Sequence, residues 1–129
     1  LDAKRDWGYA PEYVEGMWRM LQQENPEDFV LATGESHTIR EFTEKAFSEL
    51  DMELEWAGTG QMEKGIELKT GRVLIKVNPR YYRPTEVEQL LGDPAKAREK
   101  LGWVAKTRFE DLVKRMAKAD WEKVQKRGY

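Results

Sequence analysis

The pattern of hydrophobic and polar positions divides the first part of the chain into helical and strand-like segments. Residues 11–24 place apolar side chains on one helical face, and Pro11 suits the first turn of such a helix. The apolar run 29–32 ends at a Thr-Gly pair, which is typical of a buried strand. Thr38 and Glu41 have the spacing of a capping box, which predicts a helix that continues to about residue 50.

Short strands are predicted next. The alternating segment 53–56 has the pattern of a half-buried strand. The runs 66–68 and 73–77 flank a turn that contains Gly71, which indicates a hairpin.

Three further helices are predicted after the hairpin. The first begins at Arg83-Pro84. Its apolar positions are Val87, Leu90 and Leu91. The second spans 94–101 between an Asp-Pro cap and a terminating glycine. Thr107 and Glu110 have the spacing of a second capping box, which predicts the last helix. The order of elements predicts an α+β fold for the chain taken alone, or the back half of an α/β protein.

Composition narrows the possible chemistry. The 129 residues include no cysteine and a single histidine, His37. Disulfides, thiol catalysis and metal sites built from cysteines or several histidines are therefore excluded. No apolar run is long enough to span a membrane, and the first ten residues lack the apolar core of a secretory signal. We therefore expect a cytoplasmic protein that has no membrane partner.

Charge is unevenly distributed along the chain. The net charge is −2, but residues 94–129 carry eleven basic and five acidic side chains. Such a basic tail can meet nucleic acid. A solvated face of an amphipathic helix is the simpler interpretation, because a net acidic chain lacks the basic footprint of a nucleic-acid-binding domain. We therefore expect no nucleic-acid partner, with binding through the basic C-terminal helices as the alternative.

Two arginines and a glutamate are the best candidates for binding a ligand. Arg5 lies just before the first predicted helix, and Arg83 lies at the start of another. A guanidinium presents a planar fork that matches phosphate oxygens. Glu86 follows Arg83 by three residues, so the two side chains would share a face of a helical turn. The arrangement suits a nucleotide clamp in which arginine binds phosphate and glutamate binds ribose. A structural salt bridge is the alternative.

Two other features give weaker indications. His37 has no matched carboxylate and nucleophile, so we interpret it as a loop residue. Gly58, Gly60 and Gly65 have the spacing GxGxxxxG rather than that of a dinucleotide-binding loop, and no amphipathic helix follows them directly. We therefore predict no catalytic, cofactor-binding or metal-binding residue in this chain.

Two long stretches resemble a known family. Residues 1–22, LDAKRDWGYAPEYVEGMWRMLQ, and residues 81–103, YYRPTEVEQLLGDPAKAREKLGW, closely resemble the GDP-mannose 4,6-dehydratases of the extended short-chain dehydrogenase/reductase family. The resemblance runs from Leu1 to about Asp120. The segment 57–71 matches least well and looks like a hairpin insertion, so we assign no function to it.

The resemblance implies that the chain is the C-terminal part of an α/β enzyme whose dinucleotide-binding Rossmann domain is mostly absent. Residues 1–32 would belong to that domain, and residues 33–129 would form the domain that binds the sugar nucleotide. The absent domain would bind NADP and carry the family's Tyr-xxx-Lys pair, which occurs nowhere in this sequence. We therefore expect the isolated chain to be inactive and the complete protein to be a homo-oligomer.

The resemblance also implies a substrate and its contacts. Arg5 and Arg83 match arginines that contact the diphosphate in this family, and Glu86 matches the glutamate that holds the ribose. The complete enzyme, a lyase, would convert GDP-D-mannose to GDP-4-keto-6-deoxy-D-mannose in the biosynthesis of GDP-fucose and related deoxyhexoses. Two alternatives stay open: a nucleotide-binding module without chemistry, and a sibling dehydratase or epimerase acting on another nucleotide sugar.

Overall fold

Helices and short strands alternate along a small α+β fold, as predicted. The structure, a computed structural model, describes residues 1–83 and 87–128. In chain order, the elements are β1 (Lys4–Arg5), α1 (Ala10–Leu21), β2 (His37–Thr38), α2 (Ile39–Ser48), β3 (Leu54–Ala57), a 3₁₀ turn (Gly60–Met62), β4 (Lys64–Glu67), β5 (Val73–Lys76), α3 (Ala95–Leu101) and α4 (Phe109–Arg127). Strands β1 and β2 form a two-stranded ribbon, and β3, β4 and β5 form a separate sheet in that order.

Helix α1 forms where the apolar periodicity predicts it and ends three residues earlier than predicted. Arg19, near its C-terminus, pairs with Glu15 one turn before it at 2.5 Å. The same guanidinium donates to the carbonyl oxygens of Leu101, at 3.0 Å, and Gly102, at 2.8 Å. These carbonyls lie at the end of α3, where helical backbone oxygens lack partners within the helix. Arg19 therefore ties α1 to α3.

The segment 29–32 is not a strand, contrary to the prediction. A strand is defined by a neighbour that pairs with its backbone N–H and C=O groups, and these residues have no such neighbour in the described part of the chain. Most of their side chains nevertheless contribute to the core. Phe29 and Leu31 pack against the core around Trp103, and Ala32 is buried. The apolar run is therefore only partly buried, since Val30 is 52% exposed, and the inferred strand pairing was wrong.

The capping box at the start of α2 is confirmed. The Thr38 hydroxyl oxygen accepts a hydrogen bond from the backbone N–H of Glu41 at 3.0 Å, and the Glu41 carboxylate accepts from the N–H of Thr38 at 2.6 Å. The preceding residue, His37, pairs with Arg5 in the β1-β2 ribbon. The cap therefore fixes the point at which the ribbon becomes a helix.

The predicted strand and hairpin are also confirmed. Strand β4 pairs antiparallel with both β3 and β5. Gly71 adopts a φ of +70° in the turn between β4 and β5, a conformation that favours glycine. Within the sheet, a Cβ atom added to Gly65 would lie 3.1 Å from side-chain atoms of both Ile75 and Trp56.

Arg40 attaches this sheet to helix α2. Its guanidinium lies 2.6 Å from the carboxylate of the buried Glu63 and 3.0 Å from that of Asp2. It also lies over the ring of Trp56, whose indole N–H donates to Glu44 at 2.6 Å. One arginine thus connects the segment that precedes β1 with the helix and the sheet.

Residues 87–91 are not helical, so the helix predicted from Arg83-Pro84 is wrong over this stretch. The backbone N–H of Lys4 donates to the carbonyl of Glu88 at 2.7 Å, and the N–H of Leu90 donates to the carbonyl of Lys4 at 3.1 Å. Gln89 therefore forms a parallel bridge with Lys4. The second edge of β1 forms hydrogen bonds with the backbone of this segment. Pairing between segments so far apart in the chain cannot be predicted from the local sequence.

Helix α3 ends at Leu101 as predicted, where Gly102 adopts a φ of +60°, and it begins at Ala95, one residue later than predicted. The Asp93 carboxylate accepts from the N–H of Ala95 at 2.9 Å. Helix α4 is also present, but its predicted capping box is wrong. Arg108 occupies the N-cap without a side-chain hydrogen bond. The hydroxyl of Thr107 instead donates to Glu12 at 2.8 Å.

Among the described residues, buried side chains group in two places. In the first, Trp103 packs edge-on against Tyr13 and donates its indole N–H to the Glu12 carbonyl at 2.7 Å. The second lies between α2 and α4, where Phe42 contacts the buried Phe109. The first cluster joins residues on both sides of position 32. The predicted domain division at that position stays a prediction.

Candidate functional site

A cleft of about 650 Å³ contains two of the three residues that the sequence predicts to bind a ligand. Arg5 lines it from β1, and Arg83 lines it from the segment that follows β5. These positions are far apart in the sequence, and the fold brings them to one cavity. Two guanidinium groups that share a cleft can bind a ligand carrying more than one phosphate.

Arg5 is held by a strand with partners on both edges. Strand β1 pairs with β2 on one side and with residues 88–90 on the other. The guanidinium of Arg5 donates to the carbonyls of Lys4, at 2.7 Å, and Val87, at 2.9 Å. These backbone acceptors hold the guanidinium at the cleft.

A tight turn at Asn78 leads the chain to Arg83. The Asn78 side-chain oxygen accepts from the N–H of Arg80, and its carbonyl accepts from the N–H of Tyr81, both at 3.0 Å. Such an Asx turn is a local property of asparagine. Tyr81 and Tyr82 follow the turn, line the same cleft, and are 72% and 40% exposed. The cleft therefore offers aromatic faces next to its cations.

Glu86, the third predicted residue, lies outside the described residues. Its proximity to Arg83 therefore stays a prediction.

Sequence reasoning missed several residues of the cleft. Lys76, at the end of β5, adds a third cation, whereas Asp2 and Glu88 add carboxylates. The carboxylate of Asp2 is partly neutralised by Arg40, whose hydrogen bond lowers the pKa of Asp2 below its usual value. The charge of these residues could not identify them as part of a binding site, because charged side chains are common throughout this sequence.

His37 lies in β2 and is not a loop residue. Its ring stacks on Phe109 with centroids 3.8 Å apart, and its Nδ1 lies 3.7 Å from the carboxylate of Glu41. Its Nε2 is buried and has no hydrogen-bond partner among the described residues. The ring therefore acts as part of the aromatic cluster around Phe109.

A model of the GDP-mannose 4,6 dehydratase family matches residues 1–116. The chain belongs to this family. Among curated proteins, a GDP-mannose 4,6 dehydratase of Dictyostelium discoideum is 54% identical over 125 residues, which cover 97% of this chain and 35% of that protein. The human GDP-mannose 4,6 dehydratase is 52% identical over 122 residues, covering 95% of this chain and 33% of its own length. The chain thus spans about a third of the curated relatives it matches.

Solved structures show the same fold. RMD from Pseudomonas aeruginosa, complexed with NADPH, matches with a TM-score of 0.68 and 18% identity, over 95% of this chain and 34% of that one. UDP-glucose 4-epimerase from Bifidobacterium longum, in complex with NAD⁺ and UDP, matches with a TM-score of 0.65 and 16% identity, over 99% of this chain and 32% of that one. These likenesses confirm the expectation that the chain has the fold of one part of an extended short-chain dehydrogenase/reductase.

The glycine-rich segment of this family member does not form a dinucleotide-binding loop. Gly58 has a φ of +83° and lies against the backbone of Met62, and a 3₁₀ turn and β4 follow. A dinucleotide pyrophosphate needs converging N–H groups at the start of an α-helix. These glycines therefore do not fit the pyrophosphate of NADP.

No helix in the described part of the chain is long and apolar enough to cross a membrane.

Proposed function

We propose that this chain is the substrate-binding part of a GDP-mannose 4,6-dehydratase and that its cleft binds the diphosphate of GDP-mannose between Arg5 and Arg83. The observation that supports this proposal is the presence of both guanidinium groups in one cleft. The same cleft has two tyrosines that suit contacts with a base or a sugar. Glu86 would bind the ribose hydroxyls.

The contribution of this chain to the reaction is orientation. The complete enzyme would remove water from GDP-D-mannose to give GDP-4-keto-6-deoxy-D-mannose. Binding energy from the diphosphate and ribose, which do not react, would hold the hexose at the reaction centre. NADP, which supplies hydride transfer when bound, would be held by residues outside this chain. The isolated chain is therefore expected to form no keto sugar from GDP-mannose. A cytoplasmic location stays a prediction.

An apolar face of α1 supports the presence of a further domain in the complete protein. Its members are Val14, Met17, Trp18 and Leu21, which are 63%, 56%, 60% and 81% exposed. Tyr13, in the same helix, is instead half-buried against Trp103. Because the chain spans about a third of its curated relatives, we assign this face to contact with the dinucleotide-binding domain. A homo-oligomer contact is the alternative.

Calorimetric titration of the complete protein with GDP-mannose tests the proposed site. Replacing Arg5 with alanine should weaken binding about tenfold or more, since a hydrogen bond to a charged group contributes about 1.5–3 kcal/mol. Arg108→Ala is a matched control, because Arg108 pairs with Glu35 and does not line the cleft. Equal, small effects of the two substitutions would contradict the proposed site.

A further inference from the structure

A carboxylate at the end of β1 binds the loop that leads into β2. One oxygen of Asp6 accepts from the backbone N–H of Thr33 at 2.9 Å and from its hydroxyl at 2.7 Å. The other oxygen accepts from the N–H of Gly34 at 3.0 Å. Three donors thus converge on one carboxylate, and two of them are backbone groups of a single loop.

The position of this carboxylate connects it to the cleft. Asp6 directly follows Arg5, and the residue opposite Arg5 in the ribbon is His37. The segment 33–37 is therefore attached to β1 at both ends, through the Asp6 carboxylate at one and through backbone pairing at the other. Strand β1 has only two residues, so its direction depends on the contacts of the residues that follow it: the Asp6 carboxylate, and Trp7, whose ring lies 4.6 Å from that of Phe42.

We propose that Asp6 is a positioning residue for ligand binding, which holds the end of β1 so that the Arg5 guanidinium stays directed at the cleft. This inference rests on the proposed role of Arg5 in binding a nucleoside diphosphate. Asp6 does not line the cleft itself. Its effect on binding is therefore transmitted through the backbone it shares with Arg5.

A second carboxylate with the same set of donors provides a control. Glu12, in the first turn of α1, accepts from the N–H groups of Lys106, at 3.1 Å, and Thr107, at 3.1 Å, and from the hydroxyl of Thr107 at 2.8 Å. It also binds two backbone amides and one threonine hydroxyl, but it does not line the cleft. Loss of either clamp should lower stability in a similar way, and only loss of the Asp6 clamp should displace Arg5.

The test compares Asp6→Asn with Glu12→Gln in the complete protein. In each variant an amide replaces the carboxylate and keeps only one of its two oxygens. The amide nitrogen, a donor, would face a backbone N–H and could not accept its hydrogen bond. The dissociation constant of GDP is measured by calorimetry, and the melting temperature of each variant is measured alongside. We expect both melting temperatures to fall and GDP binding to weaken about tenfold in Asp6→Asn alone, because a small misplacement of a binding group has large effects.

Arg5→Ala in the same titration separates the two proposals. Weaker GDP binding in Arg5→Ala, with Asp6→Asn and Glu12→Gln indistinguishable from each other, would overturn the positioning role and leave the site intact. Unchanged GDP binding in Arg5→Ala would overturn the proposed site and the positioning role with it. Should Asp6→Asn not fold, Thr33→Val and Thr107→Val remove the hydroxyl donor of each clamp, and Thr33→Val also removes the acceptor of the Glu35 N–H. A binding loss in Thr33→Val that exceeds the loss in Thr107→Val supports the role, and equal losses overturn it.

Discussion

At the scale of single residues, substitutions of Arg83 can separate the contribution of its charge to ligand binding from that of its side-chain geometry. In the complete enzyme, Arg83→Ala should weaken GDP-mannose binding about 10- to 150-fold, as expected for loss of a hydrogen-bond partner to a charged group. Arg83→Lys should lose less, because lysine keeps the charge and lacks the planar fork. NADP affinity, measured in parallel, should stay unchanged in both variants, since the cofactor is expected to bind elsewhere.

Glu86→Gln should weaken GDP-mannose binding less than Arg83→Ala does, because the amide keeps one acceptor for the ribose hydroxyls.

If the dissociation constant of GDP-mannose in Arg83→Ala stayed within about twofold of the original protein, a difference of roughly 0.4 kcal/mol, Arg83 would not bind the diphosphate. A structural ion pair would then be the remaining interpretation of this arginine.

At the scale of elements, the cap of α2 is the most clearly formed. Replacing Thr38 with alanine should lower the free energy of unfolding by about 1 kcal/mol, the usual effect of losing an N-cap. Thr59→Ala is the control, because Thr59 precedes the 3₁₀ turn without a side-chain cap bond. Urea unfolding of the two variants measures the difference. An equal effect of both substitutions would show that the capping bond contributes nothing.

The same cap should make stability depend on pH. The backbone N–H of Thr38 lowers the pKa of Glu41 below its ordinary value of 4.5. A carboxyl whose pKa is lower in the folded state contributes stability that is present above the unfolded pKa and is lost as pH falls through the folded pKa. Unfolding measured between pH 6 and about pH 3 should therefore show a decline below pH 4.5 that is shallower in Glu41→Gln. Identical slopes would refute this contribution.

Elements determined by neighbouring residues could be predicted, and those determined by distant ones could not. The capping box at Thr38 and the turn at Gly71 are local, so the sequence reveals them. The second predicted box fails because Glu12, some ninety residues away in sequence, takes the hydroxyl of Thr107. The helix predicted through Leu90 fails for the same kind of reason, because β1 pairs with that backbone.

The candidate site shows the same limit at the scale of the whole molecule. Arg5 and Arg83 were found because arginine chemistry and a long resemblance marked them. Lys76 and the clamp at Asp6 were not found, because their roles depend on which segments the fold brings to β1. In a chain with so many charged residues, the role of any one of them can be recognised only from the residues that it contacts.

The exposed face of α1 leads to a prediction about the chain as a whole. Apolar surface contributes about 25 cal/mol per Å² when buried, so covering a few hundred Å² stabilises a contact by several kcal/mol. The isolated chain should therefore self-associate through this face, as measured by sedimentation over a range of concentrations. Trp18→Glu should shift the chain toward monomer. Leu68→Glu, at a similarly exposed position outside α1, should not. A clean monomer of the unaltered chain at high concentration would show that this face does not drive association, whereas loss of association in both variants would place the contact elsewhere.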